Sequence, residues 1–173
     1  MDEVARAVST AFTVSNDLRR TTELVLLFTG APVPAARKIE FFGDRLRYLN
    51  PDERSTAALV KNALVRSATL DRPIEASPGV RVSPTRPLDE LRQRVEQSPP
   101  PIWLTEGAPP LEEWRPTAAE ASFILSDPFD PTSEESQILT ASGVDRRSVG
   151  PRSLRSSQVI DVVNNYLDRL GVP

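Results

Sequence analysis

Cysteine and histidine are both absent from the 173 residues. Thiol nucleophiles, Ser-His-Asp triads, imidazole bases, zinc fingers and disulfide staples are therefore excluded together. Long apolar runs are missing as well, since no stretch reaches the roughly 18 consecutive apolar residues that cross a bilayer. The first turn carries Asp2, Glu3 and Arg6 where a secretory segment would be basic and then apolar. The expectation is a soluble, cytoplasmic protein with no membrane segment and no metal. Glycine is sparse, and its seven residues lie dispersed at 30, 43, 79, 107, 143, 150 and 171. Neither GxGxxG nor GxxxxGK[ST] occurs, so the dinucleotide and P-loop readings fall. What remains is chemistry by carboxylates, hydroxyls, amides, guanidinium groups and backbone, or chemistry carried by a bound cofactor.

The residues that are present describe a folded chain. Hydrophobic residues are 39% and charged residues 26%, with a net charge of -3, which is too apolar for a disordered chain of such modest charge. The length suits a single domain over residues 1-173 with one core. Seventeen prolines promise stiff, ordered loops. Charge is unevenly spread: residues 1-86 hold 13 basic and 10 acidic groups, residues 87-130 hold 3 and 9, and residues 131-173 hold 5 and 5. Arg19, Arg20, Arg37, Lys38, Arg45, Arg47 and Arg54 are candidates for a basic face, although scattered arginines usually only solubilise a surface.

Periodicity predicts the elements. Val4, Ala5, Val8, Ala11 and Phe12 recur at helical spacing, so a first helix is expected to end near Asn16. Thr22 to Phe28 reads as a buried strand followed by the turn-rich Gly30 to Pro34, and Lys38 to Phe42 as another. A tight turn at Gly43-Asp44 then predicts a hairpin into Leu46 to Tyr48. Asn50 as N-cap, Pro51 at the first helical position and Glu53 in a capping box predict a helix running to about Ser67. Asp52, Glu53 and Arg54 thus read first as a helix cap, with a functional role second.

Gly79 to Val82 and Ile102 to Leu104 read as short strands, and Pro87 to Glu96 as a short helix. Six prolines between Ser98 and Pro116, with acidic residues around Trp114, predict a rigid exposed loop. The last third alternates: a strand at Ala121 to Leu125, a helix capped by Thr132 and Glu135 and ended by Gly143, a strand at Arg147 to Val149, and a helix from Val159 to Leu170 stopped by Gly171. This order implies an α/β fold with a mostly parallel sheet.

Ligands in open α/β sheets sit beyond the carboxyl ends of strands. The informative strand ends are Leu125-Ser126-Asp127-Pro128, Ser148-Val149-Gly150-Pro151 and the polar loop Leu154-Arg155-Ser156-Ser157-Gln158. Ser156, Ser157 and the free N–H groups of a helix start suit a carboxylate, a ribose or a backbone-like edge. Simple helix capping explains the same serines. Carboxylate pairs occur at Asp2-Glu3, Asp52-Glu53, Glu112-Glu113 and Glu134-Glu135, but three of the four fall at predicted helix starts, and a glycosidase reading has no further support.

The string Leu46-Arg47-Tyr48-Leu49-Asn50-Pro51-Asp52-Glu53-Arg54-Ser55-Thr56-Ala57-Ala58-Leu59 closely resembles the LRxLNPDERSTAAL segment of the archaeal tRNA pseudouridine N1-methyltransferases, within the SPOUT superfamily of knotted methyltransferases. Met1-Asp2 with Val8 to Phe12 is similar to that family's RMDxxxRxVNxAF helix. Ser77-Pro78-Gly79-Val80, Phe123 to Asp127, Val149-Gly150-Pro151 and the closing helix with Asn165, Tyr166, Leu167 and Asp168 follow in the same order. The resemblance implies a SPOUT-type α/β knot with a C-terminal trefoil, a homodimer, and S-adenosylmethionine held by backbone groups of the knot loops. Carried over by position, Leu125, Gly150, Leu154, Arg155, Ser156, Ser157, Gln158 and Val159 line the cofactor pocket. The implied methyl acceptor is N1 of a pseudouridine in tRNA, at T-loop position 54. That nitrogen must lose a proton, and Asp2 is the matching candidate base. Arg6, Ser9 and Arg54 are the matching substrate-side residues, with Arg54 also free to serve a structural salt bridge.

Three departures qualify the match. Family members carry a strand and a loop before the first helix, whereas this chain begins with Met1 at that helix, so a sheet strand and part of the substrate pocket are expected to be missing. Ser9 stands where the family pattern has Asn. Ser157-Gln158-Val159 replaces a Ser-His-Cys-like loop, which removes a side-chain contact while leaving backbone contacts. The sequence therefore points to an S-adenosylmethionine-dependent RNA methyltransferase. Another uridine-like base or a free nucleoside is an alternative substrate, favoured by the acidic net charge. A cofactor-binding or RNA-binding relative without catalysis is the alternative from another class.

Overall fold

A computed structural model describes residues 1–29, 35–126 and 129–172. The turn at Gly30 to Pro34 and the strand-end residues Asp127 and Pro128 lie outside the described residues. The chain divides into two compact units, Met1–Pro87 and Leu88–Pro173.

The first unit comprises helix α1 (Asp2–Phe12), strands β1 (Glu23–Phe28) and β2 (Arg37–Phe42), helix α2 (Glu53–Ser67), and strands β3 (Ile74–Ser77) and β4 (Val80–Pro84). Its sheet has the order β1-β2-β4-β3 and every pairing is antiparallel. The expectation of a mostly parallel sheet is thus corrected for this half of the chain. The expected hairpin strand at Leu46 to Tyr48 is also absent, because β2 already pairs with β1 on one edge and β4 on the other. No edge is left for a third partner.

Strand β3 escaped the sequence reading, since Ile74 is its only large apolar residue. A two-residue Pro78-Gly79 turn folds it back onto β4, with Gly79 at φ 77°. A side chain at Gly79 would also strike the backbone of Arg45 and Leu46, at 2.7 and 2.6 Å. The core lies on the face bearing Ile39, Phe41, Val80 and Val82, under Ala5, Val8 and Phe12 of α1 and Val60, Ala63 and Leu64 of α2. The Phe12 and Phe41 rings meet at 6.2 Å.

Arg37 shares the parity of Ile39 and Phe41, so it also points inward and is 3% exposed. Its Nε and Nη2 donate to Ser67 O at 3.3 and 3.1 Å, and Nη2 also reaches Ala68 O at 3.1 Å. Nη1 donates to Ala36 O at 3.1 Å. A buried guanidinium therefore satisfies the carbonyls at the negative end of α2, where both orphan acceptors and the helix dipole favour a cation.

The second unit contains helix α3 (Pro87–Val95, from Leu88 onward), strand β5 (Ile102–Leu104), a 3-10 turn at Leu111–Glu113, strand β6 (Phe123–Ile124), helix α4 (Ser133–Ser142), strand β7 (Arg146–Arg147) and helix α5 (Ser156–Leu170). Here the sheet is parallel, with β5 between β6 and β7. Alternation along β5 sends Ile102 and Leu104 to one side and Trp103 to the other. The first side packs with Leu111 and Val163 of α5, the second with Leu139 of α4 and Val144. The proline-rich loop expected to be exposed is instead folded inward: Leu111 is 1% exposed, and Trp114 meets Phe123 edge-on at 5.8 Å. Both predicted stops hold, with Gly143 and Gly171 at left-handed C-caps.

Replacing Arg37 with methionine should leave Ala68 O without the guanidinium and Ser67 O with the Leu70 N–H alone, and destabilise the first unit by about 2 kcal/mol in urea denaturation. Arg37→Lys should recover only part of the loss, because an ammonium cannot span the same carbonyl set.

Candidate functional site

Because the three strands of the second unit run parallel, their carboxyl ends lie at one edge of the sheet. Leu125 follows β6 directly, and Ser148 to Gly150 follow β7. Ser148 organises this edge. Its N–H donates to Pro109 O at 2.9 Å, its carbonyl accepts from Leu111 N at 2.8 Å, and its hydroxyl donates to Gly150 O at 3.0 Å. Sequence reasoning identified the Ser148 strand end but missed the docking of Pro109 to Leu111 beside it, because prolines and acids mask the single buried Leu111.

Leu125, Val149 and Val159 pack against the same cluster of Ile102, Leu104, Leu111 and Val163. Three of the sequence-selected segments are thereby brought together. A Cβ built on Gly150 meets no atom within 4 Å, so open space lies beside its backbone. Helix α5 starts at Ser156, three residues earlier than the periodicity predicts, and its N-cap is Arg155. An arginine side chain carries no acceptor for the helix's first N–H groups. Gln158 instead reaches back, its Oε1 accepting from Arg155 N at 3.0 Å. Ser156 is half-buried, Ser157 is buried, Arg155 and Gln158 are exposed, and Leu154 is half-buried.

In the first unit the sequence-selected residues gather where α1 meets the start of α2. Arg6 Nε donates to Glu53 Oε1 at 2.9 Å, and its Nη1 lies 3.4 Å from Glu3 Oε2. The hydrogen bond that Arg6 donates to Glu53 raises the Arg6 pKa above its ordinary value, with the nearby charges of Glu53, Glu3 and Asp2 acting in the same direction. Ser9 Oγ donates to Pro51 O at 3.2 Å. Arg6 and Ser9 therefore fasten α1 to the Asn50–Ser55 segment. Asp2 is exposed in the first turn of α1, and Arg54 is exposed, its side chain making no hydrogen bond or ion pair with any described residue.

The helix cap itself sits two residues later than expected. Asp52, not Asn50, is the N-cap, accepting from Ser55 N at 2.8 Å and Ser55 Oγ at 2.5 Å. Thr56 Oγ1 donates to Asn50 O at 3.1 Å, which holds Asn50 outside the helix. The Ser55 hydroxyl, and then its N–H, keep the Asp52 carboxyl below the usual carboxylate range.

The proposed basic face also sorts into different roles. Arg37 is buried, Lys38 lies 3.4 Å from Glu40, and Arg20 donates to Leu46 O at 2.8 Å, whereas Arg45, Arg47 and Arg54 are exposed.

Parallel strand ends beside a glycine with open space and a helix start without a side-chain cap are the arrangement at which α/β proteins commonly place a ligand. Comparison with known proteins makes the class specific. Residues 1–172 match the model of a family described as "Putative SAM-dependent RNA methyltransferase". Proteins named tRNA (pseudouridine(54)-N(1))-methyltransferase are similar along nearly the whole chain. The Methanocella arvoryzae protein is 36% identical over 98% of this chain and 85% of its own length. Those of Natronomonas pharaonis and Pyrococcus abyssi are 37% and 33% identical, covering 99% and 100% of this chain and 84% and 86% of their own. The chain belongs to this family of S-adenosylmethionine-dependent RNA methyltransferases.

The strand-end residues fit that cofactor. Open space beside Gly150 admits close approach to backbone, Leu125, Val149 and Val159 offer apolar surface, and the start of α5 offers N–H groups toward a carboxylate or ribose. Among the described residues no helix is long and apolar enough to cross a membrane.

Asp52 has a lowered folded-state pKa, so its stabilising effect is present above the unfolded carboxylate value of about 4 and is lost as pH falls through the folded value. Asp52→Ala should therefore lower the thermal midpoint at pH 7. Scans at decreasing pH should show the gap between variant and wild type narrowing below about pH 4.

Proposed function

We propose that this chain transfers a methyl group to N1 of pseudouridine in tRNA, at T-loop position 54. The observation that carries the reading is the naming of relatives at 33–37% identity for that reaction, over 98–100% of this chain. Bound S-adenosylmethionine supplies an electrophilic methyl group on its sulfonium. Leu125, Gly150 and Leu154 to Val159 are the residues proposed to hold it, Gly150 through its backbone and Val159 through its apolar side chain. The two units serve one reaction, within a homodimer whose C-terminal part forms the SPOUT-type trefoil knot.

The acceptor nitrogen carries a proton that must leave as the N–C bond forms. In the proposed scheme the Asp2 carboxylate takes it, and Arg54 and Ser9 orient the substrate. Arg6 acts differently. Its charge is held by Glu3 and Glu53, so it positions α1 against the start of α2 rather than gripping a phosphate. A net charge of -3 favours a second reading, in which the acceptor is a free nucleoside that needs no phosphate grip.

Asp2→Ala should keep the affinity for S-adenosylhomocysteine while transfer to a pseudouridine-54 tRNA falls by about 100-fold or more. Turnover at the wild-type rate would remove Asp2 from the base role. Gly150→Val should do the reverse, filling the open space beside the backbone and weakening S-adenosylhomocysteine binding about tenfold or more in calorimetry. Unaltered binding would place the cofactor elsewhere.

A further inference from the structure

The first unit carries a concave feature that none of the roles above uses. An open groove of about 680 Å³ is lined by Arg20, Arg45, Arg47, Asp44, Glu75 and Gly79, together with Leu46 and Pro78. Its wall is the loop after β2, and that loop is rigidly held. Arg45 and Leu46 both donate backbone N–H groups to Phe42 O at 3.0 Å, and Arg20 Nη1 donates to Leu46 O at 2.8 Å and Gly43 O at 3.3 Å. The bare Cα of Gly79 lets the β3–β4 turn close against Arg45 and Leu46, where any side chain would collide.

The charges in this groove differ in availability. Arg20 is engaged by those carbonyls and by Asp17 at 2.9 Å, Asp44 lies 3.6 Å from Arg45, and Glu75 accepts from Gly79 N at 3.3 Å. Both carboxylates thus have partners. Arg45 is stacked over the Phe42 ring at 4.1 Å with its side chain half exposed, and Arg47 is exposed with no hydrogen bond or ion pair to any described residue. Tyr48 follows at once and is 67% exposed. An exposed tyrosine next in sequence to guanidinium groups that line a concave surface is a combination suited to unpaired nucleotides, the cations taking phosphates and the ring taking a base face.

We propose that this groove is an RNA-docking surface, with Arg45 and Arg47 on backbone phosphates and Tyr48 stacked on an unpaired base of the substrate strand. The inference rests on the polynucleotide reading of the substrate. It assigns to the first unit a grip on nucleotides that the cofactor site does not supply. It also answers the acidic net charge, because two phosphate contacts and one stacked base need a local arrangement and not a basic chain.

The test is binding of a labelled tRNA transcript by the full-length protein between 50 and 200 mM salt. Arg47→Ala should weaken binding roughly three- to tenfold and reduce the salt-dependence slope by about one. Tyr48→Ala should weaken it about fivefold or more with the slope unchanged, and Tyr48→Phe should restore it, since stacking needs only the ring. Wild-type urea denaturation curves for all three variants show that folding is intact. Wild-type tRNA affinity and slope in both alanine variants would overturn the docking surface while leaving tRNA as substrate. A wild-type protein that fails to bind the transcript yet methylates free pseudouridine would overturn this surface and the tRNA reading together.

Discussion

Helix α2 is pinned at both ends by side chains from other elements, and the geometry of the first unit follows from that constraint. At the far end the buried guanidinium of Arg37 gathers the carbonyls of Ser67 and Ala68. A charge 3% exposed is tolerable only because those acceptors and the helix dipole replace its lost hydration. At the near end Asp52 caps the helix while Arg6 and Ser9 reach across from α1. Fixing α2 fixes the segment before it. The groove loop and the Asn50–Arg54 run, which carry the exposed Arg47, Tyr48 and Arg54, thereby become a presented surface.

The second unit solves a different problem with a parallel sheet. Parallel strands require crossovers, so both faces are covered by helices and the useful openings lie at the strand ends. Ser148 illustrates how one residue shapes such an opening. It ties the inward-folded proline-rich loop to β7 and turns the chain so that Gly150 faces open space. The start of α5 is capped by an arginine, whose side chain carries no acceptor, and the side chain of Gln158 reaches back to the Arg155 N–H.

Much of this was legible in the sequence where local physics decides. The Thr132–Glu135 capping box and the glycine stops at Gly143 and Gly171 follow from short-range rules, and the structure agrees on each. The apolar run of β1 does form a strand, but at the sheet edge and only half-buried, with Leu27 exposed, and not the buried strand expected. Errors arose where pairing decides. Leu46 to Tyr48 has strand composition but no free edge, and Ile74 to Ser77 lacks strand composition but has a Pro-Gly turn and a partner. Composition likewise misplaced Leu111, whose polar and proline neighbours hide a buried anchor. For the site, the strand-end rule selected the segments holding Leu125, Gly150 and Leu154 to Gln158, and the family resemblance added Val159. The division of labour among the arginines was invisible, because ion pairing such as Arg6 with Glu53 spans 47 positions.

The central claim is that this chain is a methyltransferase acting on pseudouridine N1 within tRNA. It is tested most directly by mass spectrometry of two tRNA transcripts, one with pseudouridine and one with uridine at position 54, each incubated with the protein and S-adenosylmethionine. A single added methyl group on the pseudouridine transcript alone is the predicted result, because uridine presents no N–H at the corresponding ring position. Equal methylation of both transcripts, or of neither while cofactor is bound, would contradict the account.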